Sequence, residues 1–208
     1  MKSVTILDFS MGNLRSVQKA FEAVGASARI VRTPEEAAGA ERLVVPGVGA
    51  FGDAIRALSA SGLDRAIQAH AASGRPLLGI CLGLQILFDV GLEGGRRPGL
   101  GILAGEVVRF PEDLAHEGKR LKVPHVGWNR LRPARGSGFL AGLEAEPYVY
   151  FVHSYYVRPV DPGVVVATTD YGIEFCSAVS SRNVHATQFH PEKSQRVGAR
   201  ILENFLGL

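Results

Sequence analysis

Along the first half of the chain, short solid apolar runs alternate with stretches whose apolar residues recur every three or four positions. VTILDF, residues 4–9, reads as a compact strand. In the following NLRSVQKAFEAVG, Leu14, Val17, Phe21 and Val24 fall on one helical stripe that Gly25 ends. ARIVR is a second strand, and Thr33-Pro34-Glu35-Glu36 then supplies an N-cap, a proline at the first helical position and a capping-box glutamate. RLVV is a third strand; from Asp53 onward Ile55, Leu58, Leu63 and Ile67 keep helical spacing. PLLGI is a fourth strand, and LGLQILFDV continues as a helix turning Leu84, Leu87 and Phe88 inward. Strands that are apolar on both faces, each followed by a helix, predict a parallel sheet covered on both sides.

The second half changes character. GEVVRF, YVYFVHSYYV, GVVVATT and VHATQF are β-rich and punctuated by Pro and Gly, with few helical stripes. SQRVGARILENFLGL returns to a helix through Val197, Ile201 and Phe205, with Ser194 as its cap. No repeat, low-complexity tract or long linker interrupts the chain. The expectation is one α/β domain over residues 1–208: an open, mostly parallel sheet flanked by helices, with additional antiparallel strands in the second half.

Composition narrows the function classes. The 208 residues are 46% apolar and 21% charged, with a net charge of +3 and basic residues scattered rather than clustered, so nucleic-acid binding has no support. SVTIL before Asp8 is too short for a signal peptide, and the longest apolar stretch, 76–90, is broken by glycines, Gln85 and Asp89, so it is no membrane span. Cys81 and Cys176 make no disulfide framework. A reduced, cytoplasmic protein is expected.

PGVGAFGDA places Gly47, Gly49 and Gly52 at the spacing of a dinucleotide fingerprint. The acidic residue that should close the next strand is absent, since PLLGIC ends in Cys81, and Pro46 sits where the strand should feed the turn. These glycines need another purpose. Gly79-Ile80-Cys81-Leu82-Gly83 is a nucleophile-elbow pattern with sulfur in place of oxygen, at a strand-to-helix junction. Flanking glycines admit strained backbone angles and close packing, and the helix N-terminus favours thiolate. A buried structural cysteine is the alternative. A thiol nucleophile needs a base and an orienting group. His190 in QFHPEKS has Glu192 two residues on, on the same side of an extended segment that Pro191 stiffens. A solvated His-Pro turn is the alternative there. His185 points to the opposite face of a continuous strand, which argues against a metal site shared with His190.

GICLGLQ together with a late FHPE resembles the class I, triad-type glutamine amidotransferases. MGNLRS, VPHVGWN, YFVHSYYV, ATTDYG and FHPEKSQ bring the resemblance to the glutaminase subunits of imidazole glycerol phosphate synthase, over nearly the whole chain. Phe9 and Ser10 depart from it, where those subunits more often have Tyr and Gly. The resemblance implies a flavodoxin-like sheet and a triad in which Cys81 attacks the glutamine side-chain amide, His190 transfers the protons and Glu192 orients the imidazole. It implies no cofactor and no metal. It places the oxyanion donors at the N–H groups of Leu82 and Val48, which would give the PGVG glycines their purpose. Gln85, Glu93, Gly49, Ser154 and Tyr155 match glutamine contacts, although Glu93 also reads as a solvated charge and Tyr155 as a packed strand residue. The implied partner is a (β/α)₈ cyclase that receives ammonia through a tunnel and converts PRFAR to imidazole glycerol phosphate and AICAR in histidine biosynthesis. Asn13, Trp128 and Lys193 match the interface, with a core tryptophan as the alternative at 128. A catalytically silent binding subunit of the same fold is the competing reading, together with a stand-alone thiol hydrolase.

Overall fold

The computed structural model describes residues 2–116, 118–134 and 137–208. The four apolar runs of the first half form β1 (Ser3–Leu7), β2 (Ser27–Val31), β3 (Leu43–Gly47) and β4 (Leu77–Cys81), paired in parallel in the order β2-β1-β3-β4. Strand Val184–Thr187 adds to β4 in parallel. Beyond it the sheet continues antiparallel through Glu174–Ser181, Tyr155–Pro159 and Leu103–Arg109. The largely parallel centre and the antiparallel extension agree with the sequence expectation.

The solid apolar runs hide a strict alternation. Val4, Ile6, Val44, Leu78 and Ile80 face one core, with Val17 and Phe21 of α1 (Leu14–Ala23) and Phe205 of α6 (Gln195–Gly207). Leu7, Leu43, Val45 and Leu77 face the other, beneath α2 (Pro34–Ala38), α3 (Phe51–Ser61) and α4 (Leu63–Ala72). Period-two side chains on a sheet covered on both sides require both sets to be apolar. The capping box at α2 forms as expected: Thr33 Oγ1 accepts from Glu36 N at 3.3 Å, and Glu36 Oε2 accepts from Thr33 N at 3.2 Å.

Four boundaries differ from the sequence reading. The helical spacing from Asp53 is split at Gly62, which takes φ +72° and turns α3 into α4. The helix after β4, α5 (Leu82–Ile86), is short, and Phe88–Gly91 is a strand parallel to Leu103–Arg109. A short apolar run fits either period, and here pairing with a distant strand decides. YVYFVHSYYV breaks at Ser154: Tyr148–His153 pairs with His125–Arg130 in a separate ribbon, while Tyr155–Pro159 joins the main sheet. Ser194 holds the N-cap position of α6 without a side-chain cap, because its hydroxyl donates to His190 O at 2.7 Å and accepts from Tyr150 N at 3.0 Å. His125–Arg130 and Glu174–Ser181 are strands that the sequence reading omitted. Among the described residues, no helix is long and apolar enough to cross a membrane.

α5 rests directly on the backbone of β3. A Cβ at Gly83 would lie 1.8 Å from Val45 O, and one at Gly79 would lie 2.7 Å from Gly83 O. Gly83→Ala should therefore cost roughly 2–3 kcal/mol of stability by overpacking. Urea unfolding of the two chains measures it, and equal stability would show that α5 can lift without penalty.

Candidate active site

The carboxyl ends of β3, β4 and Val184–Thr187 lie side by side, the usual place for a site in an open α/β sheet. Register puts Gly47 beside Cys81 and Thr187 beside Ile80. Cys81 sits between β4 and α5 at φ +56°, ψ −108°, a conformation that costs a side-chain-bearing residue about 1–3 kcal/mol. The flanking glycines serve close packing, as their contacts show, while the backbone strain falls on the cysteine itself. The elbow turns the side chain of Cys81, a residue only 6% exposed, to the floor of a cleft.

His190 and Glu192 meet, but not along an extended segment. Pro191–Lys193 forms a 3₁₀ turn, and across it His190 Nδ1 donates to Glu192 Oε1 at 2.7 Å. Both side chains are almost fully buried, at 3% and 2% exposure. His190 N donates to Tyr150 O at 2.9 Å, and Ser194 holds the His190 carbonyl, so both ends of the residue are fixed. Since the carboxylate takes the Nδ1 proton, Nε2 is the nitrogen left to serve a reactant. Among the described residues it has no hydrogen-bond partner of good geometry. Burial alone would lower the imidazole pKa; the Cys81 thiol beside it and the Glu192 carboxylate outweigh burial and raise it well above the ordinary histidine value. His185 is elsewhere, bonded to Ser180 Oγ at 2.9 Å and packed on Phe139 and Phe205.

A cleft of about 310 Å³ opens above the sulfur. Val48, Gly49, Leu82, Gln85, Glu93, Ser154 and Tyr155 all border it with Cys81. Glu93 is not a solvated charge: its Oε2 accepts from Phe51 N at 2.6 Å, at the first turn of α3. Gln85 is buried, and its Nε2 is engaged by Tyr155 O at 3.0 Å and Gln188 Oε1 at 3.1 Å. It therefore offers the cleft an acceptor rather than a donor. Val48 borders the cleft and is 41% exposed. The positive φ of this loop belongs to Gly49, at +104°, while Gly47 is confined between Leu82 Cβ and Phe9 Cζ. Ser10 takes φ +66°, an angle that glycine adopts more readily than serine.

Trp128 is a surface residue, 46% exposed, opposite Tyr150 in the ribbon register and 6.0 Å from its ring. Lys193 Nζ lies 5.6 Å from the centroid of the same Tyr150 ring. Asn13 is exposed just before α1, the helix that packs on the Pro191–Lys193 turn. Trp128 and Lys193 thus share the Tyr150 ring beside the turn that follows His190, while Asn13 lies at the start of a helix that packs on that turn.

Sequence reasoning missed His125, His153 and Gln188. His153 lines the cleft, and its Nδ1 donates to Tyr155 O at 2.9 Å, so its Nε2 must accept from His125 Nδ1 at 3.0 Å. Burial lowers both pKa values, to about 4 for His125 and about 3 for His153, and keeps the pair neutral. The ribbon register alone brings them together, and no local signal marks them.

This constellation of sulfur, imidazole and carboxylate lies at the sheet's carboxyl edge in a chain that belongs to the class-I glutamine amidotransferases, whose family model matches residues 5–207. PurLQS from Thermotoga maritima shares the fold, at TM-score 0.76 and 19% identity over 100% of this chain and 99% of that one. Within the class the match is to the HisH subunits. The "Imidazole glycerol phosphate synthase subunit HisH" of Syntrophotalea carbinolica is 56% identical over 97% of this chain and 98% of its own length. That of Rhodopirellula baltica is 53% identical over 97% and 96%.

Folding raises the His190 pKa, so the protonated imidazole stabilises the fold fully below the ordinary histidine value. That contribution disappears as pH climbs through the raised one. By NMR titration, the wild-type ring should stay protonated above the usual histidine range. Glu192→Gln and Cys81→Ala should each move its midpoint down. An unchanged midpoint in both variants would show that neither group holds the proton.

Proposed function

We propose that this chain is the glutaminase subunit of imidazole glycerol phosphate synthase, with Cys81 as nucleophile, His190 as proton carrier and Glu192 as the orienting acid. The observation that carries the reading is the strained Cys81 elbow beside a buried His190–Glu192 pair, in a chain about half identical to HisH subunits over its full length. The Cys81 thiolate attacks the side-chain amide carbon of glutamine, and the C–N bond breaks as His190 Nε2 hands its proton to the departing ammonia. Water, deprotonated by the same nitrogen, then cleaves the γ-glutamyl thioester to glutamate. The amides of Leu82 and Val48 receive the oxyanion in both steps; one such donor contributes roughly 10²–10³ in rate. Gln85, Glu93, Gly49, Ser154 and Tyr155 line the cleft where the substrate's amino-acid end would lie.

The partner is a HisF-type (β/α)₈ cyclase that takes the ammonia before water can protonate it and converts PRFAR to imidazole glycerol phosphate and AICAR. The exposed ribbon face supports this docking place: Val126, Trp128, Tyr148 and Val152 are largely apolar and unburied, and Val152 borders the cleft. Lys193 reaches the Tyr150 ring on it, and Asn13 is taken as a further contact. Two free cysteines suit a cytoplasmic setting, and the whole of 1–208 acts as one glutaminase domain.

Cys81→Ala in the complex should abolish glutamate release and glutamine-dependent turnover, while ammonium salts at raised pH still support product formation. Near-normal turnover with glutamine would remove Cys81 from the mechanism and favour a silent subunit.

Trp128→Ala should weaken binding to the cyclase by about tenfold or more, the scale of an aromatic anchor, with little change in the melting temperature of the isolated chain. Calorimetric titration measures it. Unchanged affinity would place the docking face elsewhere.

A further inference from the structure

Gln188 has no place in the triad or the substrate wall, yet it is fully buried and its Nε2 lies 3.7 Å from the Cys81 sulfur. Its position follows from topology: Thr187 pairs with Ile80 in parallel, so the next residue on each strand lies beside the other. Which end of the amide faces the sulfur is decided by chemistry. The Tyr155 carbonyl can only accept, and it does so from Gln85 Nε2 at 3.0 Å and His153 Nδ1 at 2.9 Å. Gln85 therefore presents its second N–H to Gln188, at 3.1 Å, and the atom receiving it must be Oε1. That leaves the NH₂ of Gln188 pointing at Sγ. Besides the His190 imidazole, the sulfur has Val152 O nearby, at 3.9 Å. A carbonyl suits the thiol, which donates; an amide N–H suits the thiolate, which accepts.

We propose that Gln188 is a fixed hydrogen-bond donor to the reacting sulfur, oriented by Gln85 from the Tyr155 carbonyl, and that it stabilises the thiolate at both points where that species occurs. The first is before attack on the amide. The second is the breakdown of the thioester, when sulfur leaves with the bonding electron pair. A donor that does not move between these states adds no reorganisation cost, the general advantage of a preorganised polar site. The proposal rests on Cys81 being the nucleophile. A glutamine that merely filled space would be replaceable by methionine, which has similar volume and no N–H.

The test is the rate of Cys81 alkylation by iodoacetamide across pH, in the full chain, for wild type, Gln188→Met and Gln188→Glu. In Gln188→Met the midpoint of the profile should move up by about one pH unit, giving about tenfold slower labelling on its acidic side and the same alkaline plateau. Gln188→Glu, nearly isosteric but an acceptor when ionised, should move it further. Gln85→Met should give a smaller shift of the same sign, because the Gln188 amide is then free to turn. Coincident midpoints for wild type and a folded Gln188→Met chain would overturn the proposal. If Met does not fold, an unmoved midpoint in Gln188→Glu overturns it instead. Mass spectrometry of the labelled wild-type chain, with Cys81→Ser as control, assigns the label between the two free cysteines. Label on Cys176 and none on Cys81 would remove the nucleophile assignment and the Gln188 proposal with it, whereas coincident midpoints with Cys81 labelled remove the role of Gln188 alone.

Discussion

The close approach of α5 to β3 is the constraint on which the site depends. Gly83 lies so near the Val45 carbonyl that any side chain would force the two elements apart. With α5 held there, the chain must turn from β4 into the helix within one residue, and Cys81 takes the strained angles that result. The strain of about 1–3 kcal/mol is local and is outweighed by two cores that clamp the sheet from both faces. The same geometry sets Gly47 beside Cys81 and brings the Val48–Ala50 loop over the cleft. Remove the close contact and the elbow, the cleft and the loop lose their common reference.

A second constraint is electrostatic. His190 and Glu192 are both buried, and a charge pair in that position is tolerable only when each group is held in place. Tyr150 and Ser194 hold the His190 backbone, and the 3₁₀ turn brings the carboxylate to the ring. Around them the polar groups are neutral and directional. Asn129 Nδ2 lies 3.3 Å from His125 Nε2, and the line continues through His153, the Tyr155 carbonyl, Gln85 and Gln188 to the sulfur. Burial keeps both histidines uncharged, so the whole line has one consistent set of donors and acceptors.

That line begins in the strand that also carries Trp128, on the exposed ribbon. Tyr150, opposite Trp128, is the residue whose carbonyl receives His190 N. The ribbon thus touches the reacting groups by two routes, one through the backbone of His190 and one through the buried amides. A subunit docking on the apolar face would press on the same strands that position the imidazole and the cleft wall.

Much of this was legible in the sequence. Alternating apolar runs and helical stripes determined the parallel half of the sheet, because periodicity is local and each β-α unit declares itself. The close-packing need for the elbow glycines and the contact of His190 with Glu192 were readable because both depend on residues a few positions apart. Only tertiary structure decided the rest. Phe88–Gly91 is a strand and not the end of a helix, since a short apolar run obeys whichever partner it meets. Ser154 divides one apparent strand between two sheets. Trp128 is outside, because the ribbon turns that face of the strand to solvent. Gln188, His125 and His153 gained their roles from registers between residues 28 to 107 positions apart, a separation at which sequence pattern carries no information about contact.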